Sequence, residues 1–374
     1  MKVCVLGVHS FGVPGPKVSS QHIAETLAAQ GHQVTYVTAH ASWVTLPFRQ
    51  HRSKYLATFR PLRVSERLLQ LTPVNLIPMR VARRLDGTPF ERAAAWLNST
   101  VERTRGRVLE NAEFDLCIFS AASSMTLLPR IRARRFIYRV NDLLGGFEAL
   151  PRSLVEFERQ VFQGHPPAEV CAVNEELAMR LRTAHPGLRV RVVPNGVDLQ
   201  LFRQAEPDPV LLESRSRNVI YVGAFNPWTD VGLILATADL LPDHTFHLYG
   251  PWNGPVPQSL PANVRIYGPI KHQASAAKMK GCIVGLIPSG PQNAGRMVEK
   301  PLKFYEYLAA GLGVAATSYA GGGLEPFAII GDTPAALADA IVKAKGVPQQ
   351  LGPEIQEGLK DRDWHQLVRR ILDS

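Results

Sequence analysis

Short apolar runs alternate with helix-forming stretches from one end of the chain to the other, and the alternation begins twice. VCVLGVH (3–9) is a continuous apolar run, which suits a parallel strand covered on both faces. A Gly/Pro loop (12–20) follows, then HIAETLAAQ (22–30) with helical spacing, ended by Gly31, then QVTYVTA (33–39) as a second strand. Strand, helix and strand in this order predict a parallel sheet. Further strands are predicted at 115–121, 135–140, 169–174 and 190–194. Residues 198–217, with Pro207 and Pro209, read as a linker. The pattern then restarts: strand 217–225, helix 231–241, strands 244–250, 263–268 and 282–288, helix 303–311, strand 312–318, a helix over 333–345 with Thr333 at its start, and an amphipathic helix over 363–374.

A chain of 374 residues is about twice the usual domain size. The expected fold is therefore α/β, with two Rossmann-like, doubly wound parallel-sheet domains facing a cleft. In such sheets ligands bind beyond the carboxyl ends of the strands. No apolar run approaches the ~20 residues of a spanning helix. The N-terminal MKVCVLGVHSFG has too short an apolar run for a signal peptide and reads as a first buried strand. Cys4, Cys117, Cys171 and Cys282 lack metal or redox spacing, so they are expected to be reduced core thiols of a cytosolic protein.

The formal net charge of +10 is concentrated. Between Arg49 and Arg107 stand twelve arginines and one lysine against Glu66, Asp86, Glu91 and Glu102, a surplus of nine. Such a block suits an anionic lipid surface, a diphosphate-bearing acceptor or nucleic acid, or is simply a solvated face. The segment lacks interleaved aromatic platforms or a recognisable module, which argues against nucleic acid.

Several loops carry candidate chemistry. The first loop, with Gly12, Gly15 and Lys17 after His9, allows close backbone approach to a ligand ahead of a helix, or is a plain connection. Its glycine spacing is not that of a dinucleotide fingerprint, which disfavours an NAD enzyme. Asn195-Gly196 in PNGVDLQLF predicts a tight, hinge-like turn. YVGAFNP (221–227) places Gly223 and Phe225 after a strand, as a nucleotide contact or as a structural turn. In EKPLKFYEYLAAGLGVAAT (299–317), Lys303 and Glu306 lie near a helix N-terminus. A lysine with a helix N-terminus suits a diphosphate, and a carboxylate one turn on suits ribose hydroxyls; the alternative is an i,i+3 ion pair. Asp142, in YRVNDLLGG after a strand, is a candidate general base or an Asx-turn residue. Asp361-Arg362-Asp363 has the spacing of a carboxylate pair, but Asp363 is more simply an N-cap, and no metal is expected.

With these pieces placed, the chain resembles the GT-B glycosyltransferases: PNGVDLQLF, YVGAF, NVRIYGPIKH, GLIPSG and PLKFYEYLAAGLGV follow that fold's order. The resemblance implies a metal-independent hexosyltransferase with no cofactor beyond a nucleotide-sugar donor, read as UDP-linked. It implies a last helix crossing back to the N-terminal domain, and hence domains of 1–197 plus 360–374 for the acceptor and 198–359 for the donor. Donor-binding residues are expected at Gly223, Phe225, Ser289, Leu302, Lys303 and Glu306, and an acceptor or phosphate loop at His9, Gly12, Gly15 and Lys17.

VHSFGVPGPKVSSQHI, YRVNDLLGG, RIYGPIKH and LKFYEY also resemble the GumK-type inverting glucuronosyltransferases. These are peripheral membrane enzymes that move glucuronate from UDP-glucuronate to a polyprenyl-diphosphate-linked oligosaccharide. That resemblance puts the catalytic base on Asp142 and the diphosphate lysine on Lys303. It implies polysaccharide biosynthesis on a lipid-linked acceptor, at the cytoplasmic face of the cell membrane, with the 49–107 segment on anionic lipid. The chain departs from the family in the first loop, where only Lys17 is basic, at Pro269, where the family has an acid, and at Glu306, where it has Gln. A retaining GT-B transferase of another nucleotide-sugar and a GT-B-fold UDP-sugar epimerase are the alternative functions.

Overall fold

The computed structural model describes residues 1–13, 15–42, 61–85, 87–90, 92–93, 97, 109, 112–141, 152–164, 168–293 and 300–373. Asp142 and, within the basic 49–107 segment, residues 49–60, 86, 91, 94–96 and 98–107 lie outside these described residues. The chain divides into two compact units, Met1–Val13 with Val18–Val193, and Pro14–Lys17 with Pro194–Asp373.

The first unit runs β1 (Lys2–Leu6), α1 (Ser19–Ala29), β2 (Gln33–Val37), β3 (Ala41–Ser42), β4 (Leu62–Ser65), β5 (Leu68–Leu71), β6 (Val74–Asn75), α2 (Met79–Arg84), β7 (Glu113–Ser120), β8 (Arg132–Val140), α3 (Arg152–Phe162), β9 (Glu169–Ala172), α4 (Glu175–Ala184) and β10 (Val190–Val192). Eight of these strands form one sheet in the order β10-β9-β8-β7-β1-β2-β5-β4. Its ladders are parallel except for the antiparallel β4–β5 pair at the edge. The central strands β1 and β7 are buried nearly throughout, as continuous apolar runs require. At the edge, β4 alternates between half-buried and exposed positions. Four cysteines are free and buried, as the sequence suggested.

The second unit runs α5 (Leu199–Gln204), α6 (Pro209–Leu212), β11 (Asn218–Val222), α7 (Val231–Leu240), β12 (Thr245–Tyr249), β13 (Val264–Gly268), α8 (His272–Lys280), β14 (Val284–Ile287), α9 (Leu302–Ala309), β15 (Gly313–Ala316), β16 (Ala328–Ile330), α10 (Pro334–Ala344), α11 (Val347–Gln350), α12 (Gly352–Lys360) and α13 (Trp364–Leu372). Its sheet is parallel, in the order β13-β12-β11-β14-β15-β16. The chain winds outward from β11 in one direction, then returns and winds outward from β14 in the other. The crevice therefore opens beyond the carboxyl ends of β11 and β14, where the winding reverses.

Two expectations are corrected here. Residues 198–217 are no linker. Asp198 and Asp208 cap α5 and α6 by accepting from Leu201 N (3.0 Å) and Leu211 N (3.1 Å), and Pro209 opens α6 at a position where its missing N–H costs nothing. Leu199, Phe202 and Leu211 are buried in the core of the second unit. Nor does Asn195-Gly196 form a tight turn: the strand-like segment there pairs at Val197 with Asp363. Glycine is needed at 196 because a Cβ would lie 2.6 Å from both the Arg362 carbonyl and the Leu367 side chain.

That contact also holds α13 to the start of the second unit. Val197 N–H donates to the Arg362 carbonyl (2.8 Å), and Asp363 caps α13 through His365 N (2.8 Å). Trp364, Leu367, Val368 and Ile371 form its buried face, each contributing at most about 1.5–3 kcal/mol. Residues 194–373 thus stay together, whereas the division expected from the sequence ran at 197 and returned 360–374 to the first domain.

Candidate functional site

The second unit gathers the singled-out residues on the carboxyl edge of its sheet. The two central strands pair only at Val219–Val284 and Ile220–Gly285, and beyond that point they part. The Tyr307 hydroxyl takes over there, accepting from Val222 N (3.0 Å) and donating to the Leu286 carbonyl (3.3 Å). Burial pushes this phenol well above its ordinary pKa, so it remains a donor. Gly285 makes room for the ring, since a Cβ there would meet Tyr307 at 2.4 Å.

The loops after β11 and β14 are tied to each other across this opening. Asp230 N donates to the Pro288 carbonyl and Gly290 N to the Trp228 carbonyl, both at 2.8 Å, and Thr229 pairs with Ser289. Ser289 is buried, and its carbonyl accepts from Thr317 Oγ1 (2.6 Å), which fastens the loop to the end of β15. After β12, a Cβ at Gly250 would fall 1.7 Å from the Gly223 carbonyl, so only glycine lets the two loops meet. Phe225 then stacks on Trp252 at 4.0 Å and 11°, and packs against Tyr221 at 4.8 Å.

Helix α9 enters this edge with Pro301 as its N-cap residue and without a side-chain cap, as do α8, α11 and α12, whereas α5, α6, α7, α10 and α13 are capped by Asp or Thr. Its first turn, from Leu302, carries Lys303. The ammonium lies 4.2 Å from the centre of the Tyr221 ring, a cation–π contact. A Cβ at Gly223 would stand 2.5 Å from that nitrogen. The lysine and the glycine loop therefore share one space, and no described carboxylate forms an ion pair with Lys303. One turn on, Glu306 is buried and pairs with His272 instead (Nε2 to Oε1, 2.7 Å). The i,i+3 ion pair weighed for Lys303 and Glu306 is not formed. What results is a positive charge and a helix N-terminus without a side-chain cap among the described residues, beside a glycine loop, with a carboxylate one turn deeper: an arrangement fit for an anion joined to a polyol.

In the first unit the loop after β1 is held by polar groups from neighbouring strands. Gln70, on β5 and fully buried, accepts from Phe11 N (2.6 Å) and donates to Ser10 Oγ (2.7 Å) and Thr72 Oγ1 (3.2 Å). The Tyr36 hydroxyl donates to the His9 carbonyl (2.9 Å), reaching it over Gly7, where a Cβ would stand 2.1 Å away. His9 and Gly12 are exposed, and Gly12 has φ +80°, a left-handed value natural to glycine. At the end of β8, Asn141 donates to Ser19 Oγ at the start of α1 (3.2 Å). Gly15 and Lys17 fall with the second unit, where Gly15 N donates to the Ile270 carbonyl (3.1 Å).

Tyr221, Trp252, His272 and Tyr307 were not singled out from the sequence. Trp252 had a signal, as it follows a strand and glycine in the same way that Phe225 does.

Residues 5–164 match the family described as glucuronosyltransferase GumK, N-terminal domain. TuaH of Bacillus subtilis (strain 168), which carries the name of a glycosyltransferase of teichuronic acid biosynthesis, is 30% identical over 203 residues, 49% of this chain and 50% of TuaH. The chain thus spans about half the length of the curated relative that it matches. Among solved structures, the sucrose-phosphate synthase of Thermosynechococcus elongatus superposes with a TM-score of 0.68 at 17% identity, over 100% of this chain and 98% of that one. HepE of Anabaena, solved with UDP-glucose, gives 0.64 at 16% identity, over 99% and 98%. Residues 5–164 are thus similar in sequence to the GumK N-terminal domain, and over its length the chain shares the GT-B fold of these solved structures.

Proposed function

We propose that this protein transfers a sugar from a UDP-sugar to a glycan acceptor. The observation that carries this reading is the seat of Lys303 against Tyr221 and Gly223, at the uncapped start of α9, with Glu306 one turn on. The leaving diphosphate lies against the lysine and the helix N-terminus, which stabilise its developing charge without a metal. Glu306 receives the ribose hydroxyls, and the Phe225 loop borders the nucleotide. Support comes from HepE, solved with UDP and with UDP-glucose, whose fold this chain shares.

The match over 5–164 supports the finer reading that we propose. The donor sugar is glucuronate, and the transfer is inverting. Asp142 takes the proton of the acceptor hydroxyl as its oxygen bonds to the anomeric carbon and the bond to UDP breaks. The acceptor is a lipid-linked oligosaccharide, met at the inner face of the membrane. The surplus of nine positive charges between 49 and 107 supports this, as do the exposed Val81 (44%) and Phe90 (67%) among its described residues. Among the described residues no helix is long and apolar enough to cross a membrane.

The test is ligand-dependent melting, since a ligand that binds only the native state raises its midpoint. UDP and UDP-glucuronate are expected to raise the melting temperature, and ADP and GDP to leave it near the unliganded value. Absence of any shift with UDP rejects the donor site; a shift with UDP and another UDP-sugar but none with UDP-glucuronate rejects glucuronate alone.

A further inference from the structure

We infer that His272 is a positioning residue that aims Glu306 at the ribose of the donor and so sets the preference for a ribonucleotide over a deoxyribonucleotide. The inference rests on the donor site proposed above and adds to it a residue outside the set that touches the ligand.

The side chains of His272 and Glu306 are 10% and 11% exposed. A carboxylate so far from water needs a partner, because an unpaired buried charge costs several kcal/mol. Lys303, one turn earlier on α9, is the ordinary candidate, but its ammonium is committed to the face of Tyr221. The imidazole takes that place. Glu306 Oε1 can only accept when ionised, so the 2.7 Å contact is donation from His272 Nε2–H. Oε1 is thereby occupied. Oε2 makes no hydrogen bond with the described residues, and it remains the acceptor for a hydroxyl of the ligand.

His272 is itself held where it can do this. It is the first residue of α8, directly after β13 on the carboxyl edge of the sheet. Its carbonyl accepts from Ser275 Oγ (2.7 Å), and the Phe202 ring, at 6.4 Å and 83°, packs edge-on against the imidazole. The ring cannot turn away without leaving Glu306 buried and unpaired. A hydrogen bond made by an oriented carboxylate to a neutral hydroxyl is worth enough to distinguish two nucleotides that differ by one oxygen.

The experiment is calorimetric titration of the full chain with UDP and with 2′-deoxy-UDP. The wild type is expected to bind UDP roughly tenfold more tightly. His272→Ala is expected to bring the ratio close to one while 2′-deoxy-UDP still binds, which also shows that the variant is folded. His272→Gln, whose amide can donate to Glu306, is expected to recover most of the preference. Glu306→Ala removes the acceptor itself and is expected to lose the preference. If His272→Ala keeps the wild-type ratio, or weakens both nucleotides equally, the positioning role is overturned while the donor site stands. If wild type binds neither nucleotide, the donor site itself is wrong and this role falls with it.

Discussion

The ammonium of Lys303 occupies the space that a side chain at position 223 would need, since a Cβ on Gly223 would stand 2.5 Å from Nζ. The glycine loop and the helix that faces it are therefore one device. Gly223→Ala is expected to push Lys303 off Tyr221 and to weaken UDP binding, as Lys303→Ala does directly. Removing a charged hydrogen bond predicts a loss of roughly 10- to 100-fold for Lys303→Ala. Titration calorimetry measures it, with the unliganded melting temperature of Lys303→Ala near that of the wild type. Unchanged affinity in both variants would reject the assignment.

Tyr307 bridges β11 and β14 where their ladder ends, and Gly285 gives it room. Tyr307→Phe leaves Val222 N–H buried without its acceptor and is expected to destabilise by about 1–3 kcal/mol. Gly285→Ala forces the ring aside, with an expected cost of about 1–3 kcal/mol. Chemical denaturation followed by a probe in the second unit reads both.

His247 is buried on β12, with Nδ1 3.0 Å from the Tyr267 hydroxyl and Nε2 3.2 Å from Asn218 Oδ1. Asn218 Oδ1 accepts and Tyr267 donates, so the imidazole is held neutral. Burial, with the nearby charges of Arg265 and Lys278, lowers its pKa from 6.5 to about 4. As pH falls below 6.5 the unfolded chain takes up a proton that the folded one refuses. Stability is therefore full above 6.5, declines towards pH 4 and levels off below it. Melting temperatures across that window should fall less steeply in His247→Gln than in the wild type; equal slopes would show that His247 does not contribute.

Asp142→Asn retains a side chain of the same shape but cannot take a proton. In the proposed inverting transfer, turnover is expected to drop by roughly 10²–10⁴-fold with UDP affinity unchanged, and the product to have the opposite anomeric configuration to the donor. Near-normal turnover, or a product of retained configuration, would rule out the role given to Asp142.

The architecture was largely legible in the sequence. Apolar runs such as VCVLGVH and CIVGLIP need both faces covered, and the helical stretches between them supply the cover, so a parallel sheet in each half follows from the one-dimensional pattern. The edge strands β4 and β16 escaped because short, half-exposed strands leave little periodic signal. Residues 198–217 misled because proline marks both linkers and the first turns of helices, and only packing of Leu199, Phe202 and Leu211 tells which.

The site divides in the same way. Lys303, Glu306 and Gly223 stood out by residue type and by their places at element ends, which local rules govern. That Lys303 would turn to Tyr221 while Glu306 turned to His272, from a helix that begins 30 residues earlier than α9, was decided by the winding of the sheet. Sequence by itself determined which elements form and which residues stand at their ends, because hydrophobic period and backbone preference act between near neighbours. Only the tertiary structure decided which of those residues meet, because strand order brings together loops that are far apart along the chain.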